Sequence, residues 1–124
     1  MSAFLKQIHP VLPVKNVNEA IDFYVTKLGF KLFFKDEGDD PKYGGVTRDA
    51  VEIHLQWHDE KEWDLHIDRP LLRIYVEEVD ALFEEYKTKD VFHKNTSIKD
   101  TAWRTREFGF YDLYGNGLVF YKDI

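Results

Sequence analysis

His9, His54, Arg73, Tyr75, Tyr111 and Tyr121 are the side chains of this sequence best suited to bind a ligand, and they fall on the polar side of extended segments. Imidazole, guanidinium and phenol groups offer hydrogen bonds and flat faces, the lining of a wet, concave ligand site. Other chemistries lack their parts. With no cysteine, disulfides, thiolate metal sites and thiol nucleophiles are all excluded. Ser2 and Ser97 are the only serines, and neither stands in a nucleophile elbow. Gly44-Gly45 is followed by no Lys-Ser/Thr, so no phosphate-cradling loop is present.

The elements that must carry these residues come in two copies. Val14, Val17, Asn18, Ile21, Tyr24, Thr26, Lys27 and Phe30 recur as Val76, Val79, Asp80, Phe83, Tyr86, Thr88, Lys89 and Phe92, every pair 62 positions apart. A repeat of this kind predicts two pseudo-symmetric modules. Each copy opens with a strand, Ile8 to Val14 and Leu71 to Val76, and Pro10 and Pro13 mark the first as an edge strand. Apolar residues at 3- and 4-residue steps then predict a helix in each: Val17, Ala20, Ile21, Tyr24 and Leu28, and Val79, Leu82, Phe83 and Tyr86. Asn18 and Asp80 are candidate N-caps, with Asn16 and Glu19 a second capping option, and Gly29 is a stop signal.

Strands follow at Leu32 to Lys35, Gly45 to Arg48, Val51 to Trp57, Arg106 to Asp112 and Leu118 to Tyr121. Alternation gives them two faces. Val51, Ile53, Leu55 and Trp57 oppose Glu52, His54 and Gln56; Phe108, Phe110, Leu118 and Phe120 oppose Glu107, Tyr111, Val119 and Tyr121. The aliphatic faces must pack on the helices, which leaves the polar and aromatic faces to line a cleft. The fold class expected is therefore α+β, two tandem pseudo-symmetric βαβββ modules forming curved mixed sheets around a concave cleft. The chain reads as one domain over 1–124, with module one about 5–57, an acidic linker about 58–69 and module two about 70–124.

The net charge of −6 argues against nucleic acid, whose phosphates need basic patches. Acidic clusters at Asp36, Glu37, Asp39 and Asp40 and at Asp59, Glu60, Glu62 and Asp64 suit solvated loops, or the recruitment of a cationic ligand. No apolar run approaches the roughly 20 residues of a spanning helix, and the N-terminal residues do not read as a secretory signal. No membrane partner is expected, and the expected compartment is the cytoplasm.

The segments His9-Pro10-Val11-Leu12-Pro13-Val14, Ala20-Ile21-Asp22-Phe23-Tyr24 through Leu28-Gly29-Phe30, and Trp103-Arg104-Thr105-Arg106-Glu107-Phe108, with the turn residues Asp112, Gly115 and Asn116, resemble the vicinal oxygen chelate superfamily. That superfamily includes glyoxalase I, extradiol dioxygenases and the bleomycin resistance proteins. The resemblance implies four metal-ligand positions in its enzymes, on the first and last strands of each module. His9 and His54 occupy two; the internal period assigns Leu71 as the mate of His9 and, with a turn about three residues longer in the second hairpin, Val119 as the mate of His54, and neither can bind a metal. Two imidazoles make a poor divalent site, because catalytic zinc takes three protein ligands. The expectation is no cofactor and no tightly held ion, with His9 and His54 as hydrogen-bonding groups or core residues. The alternative is a metal-dependent lyase, isomerase or dioxygenase using His9, His54 and Glu107, with Glu52 a further candidate ligand.

Gly44 to Asp49 and Trp103 to Phe108 are similar to segments of the bleomycin resistance proteins, which implies a non-catalytic binder of a cationic, aromatic glycopeptide. The ligand-binding residues expected are Trp103, Phe33, Phe34, Tyr43, His54, Arg73, Tyr75, Glu107, Tyr111 and Tyr121. Trp103 follows a polar stretch and has no alternating partner, so it is expected to stack on ligand rather than pack in the core. Arg104 stands where the resistance proteins usually carry Gly, which sets a cation near the cleft. The resemblance also implies a homodimer with clefts at the subunit boundary. A regulatory module with an empty cleft is the third reading.

Overall fold

The computed structural model describes residues 2–63 and 68–124, so Asp64 of the acidic linker lies outside the described residues. The first module comprises β1 (Val11–Val14), α1 (Val17–Thr26), β2 (Lys31–Lys35), β3 (Tyr43–Arg48) and β4 (Val51–Trp57). A single turn of helix, α2 (Glu60–Trp63), lies in the linker. The second module is β5 (Leu71–Tyr75), α3 (Val79–Lys87), β6 (Lys99–Asp100), β7 (Thr105–Tyr111) and β8 (Gly117–Asp123). Each module is βαβββ, as the repeat predicts.

Both sheets have the same mixed topology, β1-β4-β3-β2 and β5-β8-β7-β6, with the first strand parallel to the last. The registers fix which positions are mates. Val11 stands opposite His54 and Arg73 opposite Val119. Val11 and Arg73 are separated by the repeat length (73 − 11 = 62), so Val119 is the structural mate of His54. Leu71 stands two residues before Arg73, as His9 stands two before Val11, and is the mate of His9.

The apolar faces meet in one core. Leu12 and Val14 from β1, Val46 from β3, and Ile53 and Leu55 from β4 are buried with Val17, Ala20, Ile21 and Tyr24 of α1. Val79, Leu82 and Tyr86 of α3 join Phe108, Phe110, Leu118 and Phe120 in the same cluster. Each burial removes an apolar side chain from water, about 1.5–3 kcal/mol for a full Val, Leu, Ile or Phe. The outward alternation in β4 weakens at its end, where Trp57 emerges and carries Lys42 Nζ 4.2 Å above its ring. None of the described helices is long and apolar enough to cross a membrane.

The two modules are locked together by the paired tyrosines of their helices. Tyr24 donates to Asp112 Oδ2 at 2.9 Å, beyond the end of β7, and Tyr86 donates to the Leu28 carbonyl at 2.8 Å. Capping differs from one sequence expectation. Asn16 caps α1, accepting from the Glu19 amide at 2.8 Å, while Asn18 bonds to Asp39 and Lys35. Glu78 takes the N-cap position of α3 without a side-chain cap, because Asp80 lies in the first turn and pairs with Arg106. Gly29 ends the α1 segment at φ +77°, the left-handed conformation that glycine adopts without penalty.

Candidate ligand-binding site

Alternation along β4 sends Glu52 and His54 to the same face, away from the core side chains Ile53 and Leu55. His54 is held at both ring nitrogens. Its Nδ1 lies 2.7 Å from the Tyr43 hydroxyl on β3, and its Nε2 lies 2.7 Å from Glu52 Oε2. An ionised carboxylate only accepts, so Nε2 carries a proton toward Glu52. His9, just before β1, stacks on the His54 ring at 5.0 Å and places Nε2 3.6 Å from the same Glu52 oxygen. Gly45 is opposite His54 on β3, and its missing side chain matters. A Cβ there would collide with the Phe34 ring, which lies over the bare backbone and meets His54 edge-on at 5.1 Å. Phe33 sits at the irregularity of β2 and is 60% exposed, in edge contact with Phe34.

A second group forms on the matching face of the other sheet. Arg73 on β5 lies 4.2 Å above the Tyr121 ring and reaches Glu107 Oε2 at 3.2 Å. Tyr75 meets Tyr121 edge-on at 5.3 Å and donates to Glu77. Burial pushes the Glu107 carboxyl up, but hydrogen bonds from Thr105, Arg73 and Trp103 outweigh it and hold it below the usual carboxylate value. Trp103 occupies the turn before β7 and is 64% exposed, which removes it from the core. Arg104 after it has φ +66°. Tyr111 stands apart from this group, exposed and in edge contact with His93, whose Nε2 accepts the Tyr111 amide.

The sequence-derived residues thus fall into two groups, Phe33, Phe34, Tyr43 and His54 on one sheet and Arg73, Tyr75, Glu107, Tyr121 and Trp103 on the other. A cleft of about 580 Å³ runs between the sheets, lined by Ile8, His9, Glu52, Leu71, Arg73 and Tyr75. Glu52 was only a conditional candidate in the sequence, although its position two residues before His54 on one strand face was the available signal. The alternative ligand set named Glu107 beside the two histidines; instead Glu107 is bonded to Arg73 and Thr105 on the second sheet. The carboxylate that accompanies His9 and His54 is Glu52, and the three donor atoms lie within 4.8 Å of one another. Two imidazoles and a carboxylate are a donor set that suits zinc, nickel or iron(II). The mates Leu71 and Val119 supply nothing to such an ion.

A profile of the Glyoxalase/Bleomycin resistance protein/Dioxygenase superfamily matches residues 6–120. The chain belongs to that superfamily. Its similar proteins include the bleomycin resistance proteins of Geobacillus stearothermophilus and Staphylococcus aureus, each 31% identical over 129 residues, covering 93% of this chain and 95% of theirs. Among solved structures, the bleomycin-binding protein from bleomycin-producing Streptomyces verticillus, complexed with copper(II)-bleomycin, superposes with a TM-score of 0.76. It is 27% identical, and the match covers 97% of both chains. The two βαβββ modules are the superfamily's architecture, and within it the likeness runs to its bleomycin-binding branch.

Proposed function

We propose that this protein sequesters a cationic, aromatic glycopeptide antibiotic of the bleomycin type, stoichiometrically and without turnover. The observation that carries the reading is the set of aromatic side chains left outside the core, Phe33 and Phe34 on β2 and Trp103 before β7, together with the kinship to bleomycin resistance proteins. A planar heteroaromatic tail stacks on such rings, and a positive terminus is drawn to the acidic loops and the aromatic faces. On this reading the whole chain, 1–124, acts as one domain, sequestration needs no cofactor, and the protein works in the cytoplasm.

The protein acts as a homodimer with clefts at the subunit boundary. Phe4, Leu5 and Ile8 are almost fully exposed, and Leu71 is exposed on β5, an edge strand. Apolar surface of this kind beside a free strand edge is covered by a second copy in a closed twofold pair. Sedimentation should give twice 14.8 kDa at micromolar concentration, and a single 14.8 kDa species contradicts the dimer.

Titration of bleomycin against tryptophan fluorescence tests the binding function. A saturable change is expected in the wild type. Trp103→Ala should weaken binding several-fold, because a stacking contact is worth about 0.5–1.5 kcal/mol beyond area burial. Its thermal stability should barely change, since the ring packs against no core. A wild type without saturable response removes the drug assignment; a mutant that unfolds removes Trp103 from the ligand set.

A further inference from the structure

We propose that the protein has a second small-molecule site, for an arylalkylammonium ion, in a cavity between the β3–β4 turn and the start of α3. The pseudo-symmetry of the modules points to it. The turn of each module's last hairpin lies against the first turn of the other module's helix. On one side that space is filled. Tyr114, at the middle of the Leu113-Tyr114-Gly115 turn, donates its hydroxyl to Glu19 Oε1 at 2.6 Å and lies 3.2 Å from the Asn16 carbonyl at the N-cap of α1. Trp63 of α2 packs beside the ring, with centroids 6.1 Å apart. The positions 62 residues on from Asn16 and Glu19 are Glu78, the N-cap residue of α3, and Ala81. The first hairpin turns through two residues only, Asp49 and Ala50, between the paired Arg48 and Val51, and brings no ring there. A cavity of about 430 Å³ stands in the place of the tyrosine, with Asp49, Ala50, Glu78 and Ala81 in its lining.

The lining selects the ligand. The floor is apolar, made by Phe30, Val51, Ile74, Leu82 and Phe120. The rim is acidic. Among the described residues that line the cavity, Asp49, Glu77, Glu78 and Glu85 supply carboxylates and Arg48 alone a cation. Arg48 is already engaged by Glu85 through bonds of 2.8 and 3.0 Å. Glu77 accepts from the neutral Tyr75 hydroxyl, and Glu78 makes no side-chain cap bond to α3. Surplus negative charge beside an apolar floor favours an apolar body with a positive end. The body is a ring, because a ring is what the same fold holds at the mate position, and Ala81 in place of Glu19 leaves room for one over the first turn of α3. It lies on Ala81 and Leu82 with its ammonium against Glu78. Among the described residues the cavity shares only Ala50, Val51, Ile74 and Tyr75 with the cleft between the sheets, and Phe33, Phe34 and Trp103 are not in its lining. The site therefore does not depend on the antibiotic reading.

Tyramine, a phenol carrying an ammonium, is the probe. Titrated into isotope-labelled full-length protein and followed by amide NMR, it should shift Asp49, Ala50, Ala81 and Leu82 saturably and leave Phe34 and His54 in place. Glu78→Gln should weaken tyramine about 5-fold, the effect of losing one exposed ion pair at the strong end of its range, and p-cresol, which lacks the charge, should bind the wild type more weakly by a similar factor. Phenylpropionate, whose tail is negative, should not bind. Ala81→Phe, a change at an exposed helix position, fills the cavity and should abolish the tyramine shifts. Circular dichroism checks that each variant keeps the fold. Bleomycin titration of Ala81→Phe should match that of the wild type, which separates the two sites. The proposal is overturned by the absence of saturable shifts at these four amides, by a tyramine response that survives Ala81→Phe or ignores Glu78→Gln, or by equal binding of phenylpropionate.

Discussion

Arg104 shows what one left-handed residue costs a turn. Its φ of +66° is a conformation that side chains with a Cβ adopt at a penalty and that glycine adopts freely. The resemblance to the resistance proteins implies glycine at this position, and the backbone here has the conformation such a glycine would take. The Arg104 carbonyl accepts the Ile124 amide at 3.0 Å, which ties the turn to the C-terminal strand and holds it in shape. Arg104→Gly should therefore raise stability by about 1 kcal/mol, the relief of left-handed strain less the entropy of a glycine. Thermal melting checks it, and a destabilised variant would mean that the arginine side chain makes a compensating contact.

At the level of elements, much was legible because side-chain periodicity is set locally. The alternation of Ile53 and Leu55 with Glu52 and His54 was enough to assign the faces of β4, and the repeat together with the longer turn of the second hairpin was enough to identify Val119 as the mate of His54. What stayed hidden depended on partners distant in sequence. Asn16 and Asn18 are equally good caps by type, and the contacts of Asn18 with Lys35 and Asp39 decide between them. Asp80 is withdrawn from capping by Arg106, 26 positions away. The two-residue β6 has no pattern of its own and exists through pairing with β7. Glu52 was readable as a face neighbour of His54, but its approach to His9 required the fold. The lock between α1 and the β7–β8 turn was equally invisible. Asp112 accepts from the Tyr24 hydroxyl, the Asn116 side-chain amide and the backbone amides of Tyr114 and Asn116. Tyr24→Phe removes one of these bonds and should cost about 1–2 kcal/mol. Asp112→Ala strands several buried donors at once and should cost roughly 3–5 kcal/mol. Chemical denaturation of both variants measures the difference, and equal costs would contradict the role given to the turn.

The molecule as a whole joins two modules through buried phenols, and this sets its response to alkali. Burial, assisted by Asp112, holds the Tyr24 hydroxyl well above its ordinary range. Burial pushes Tyr86 up to about 12 even though Arg48 pulls it down. Both groups release a proton more readily unfolded, near pH 10, than folded. Their contribution to stability is therefore complete below about pH 10 and is lost as the pH rises through their raised folded-state values, about 12 for Tyr86. Melting temperature should hold on the alkaline side of neutrality and fall across that window, and Tyr86→Phe should make the fall shallower; an identical fall in that variant would place the sensitivity elsewhere.

The same two-module frame leaves Phe33, Phe34 and Trp103 outside the core, and the function proposed for it is capture of a ligand without chemistry. Calorimetric titration with bleomycin, followed by chromatography of the released drug, tests this most directly. Saturation at one drug per chain with the drug recovered unaltered is the predicted result; substoichiometric consumption, with a modified product accumulating over time, would contradict it.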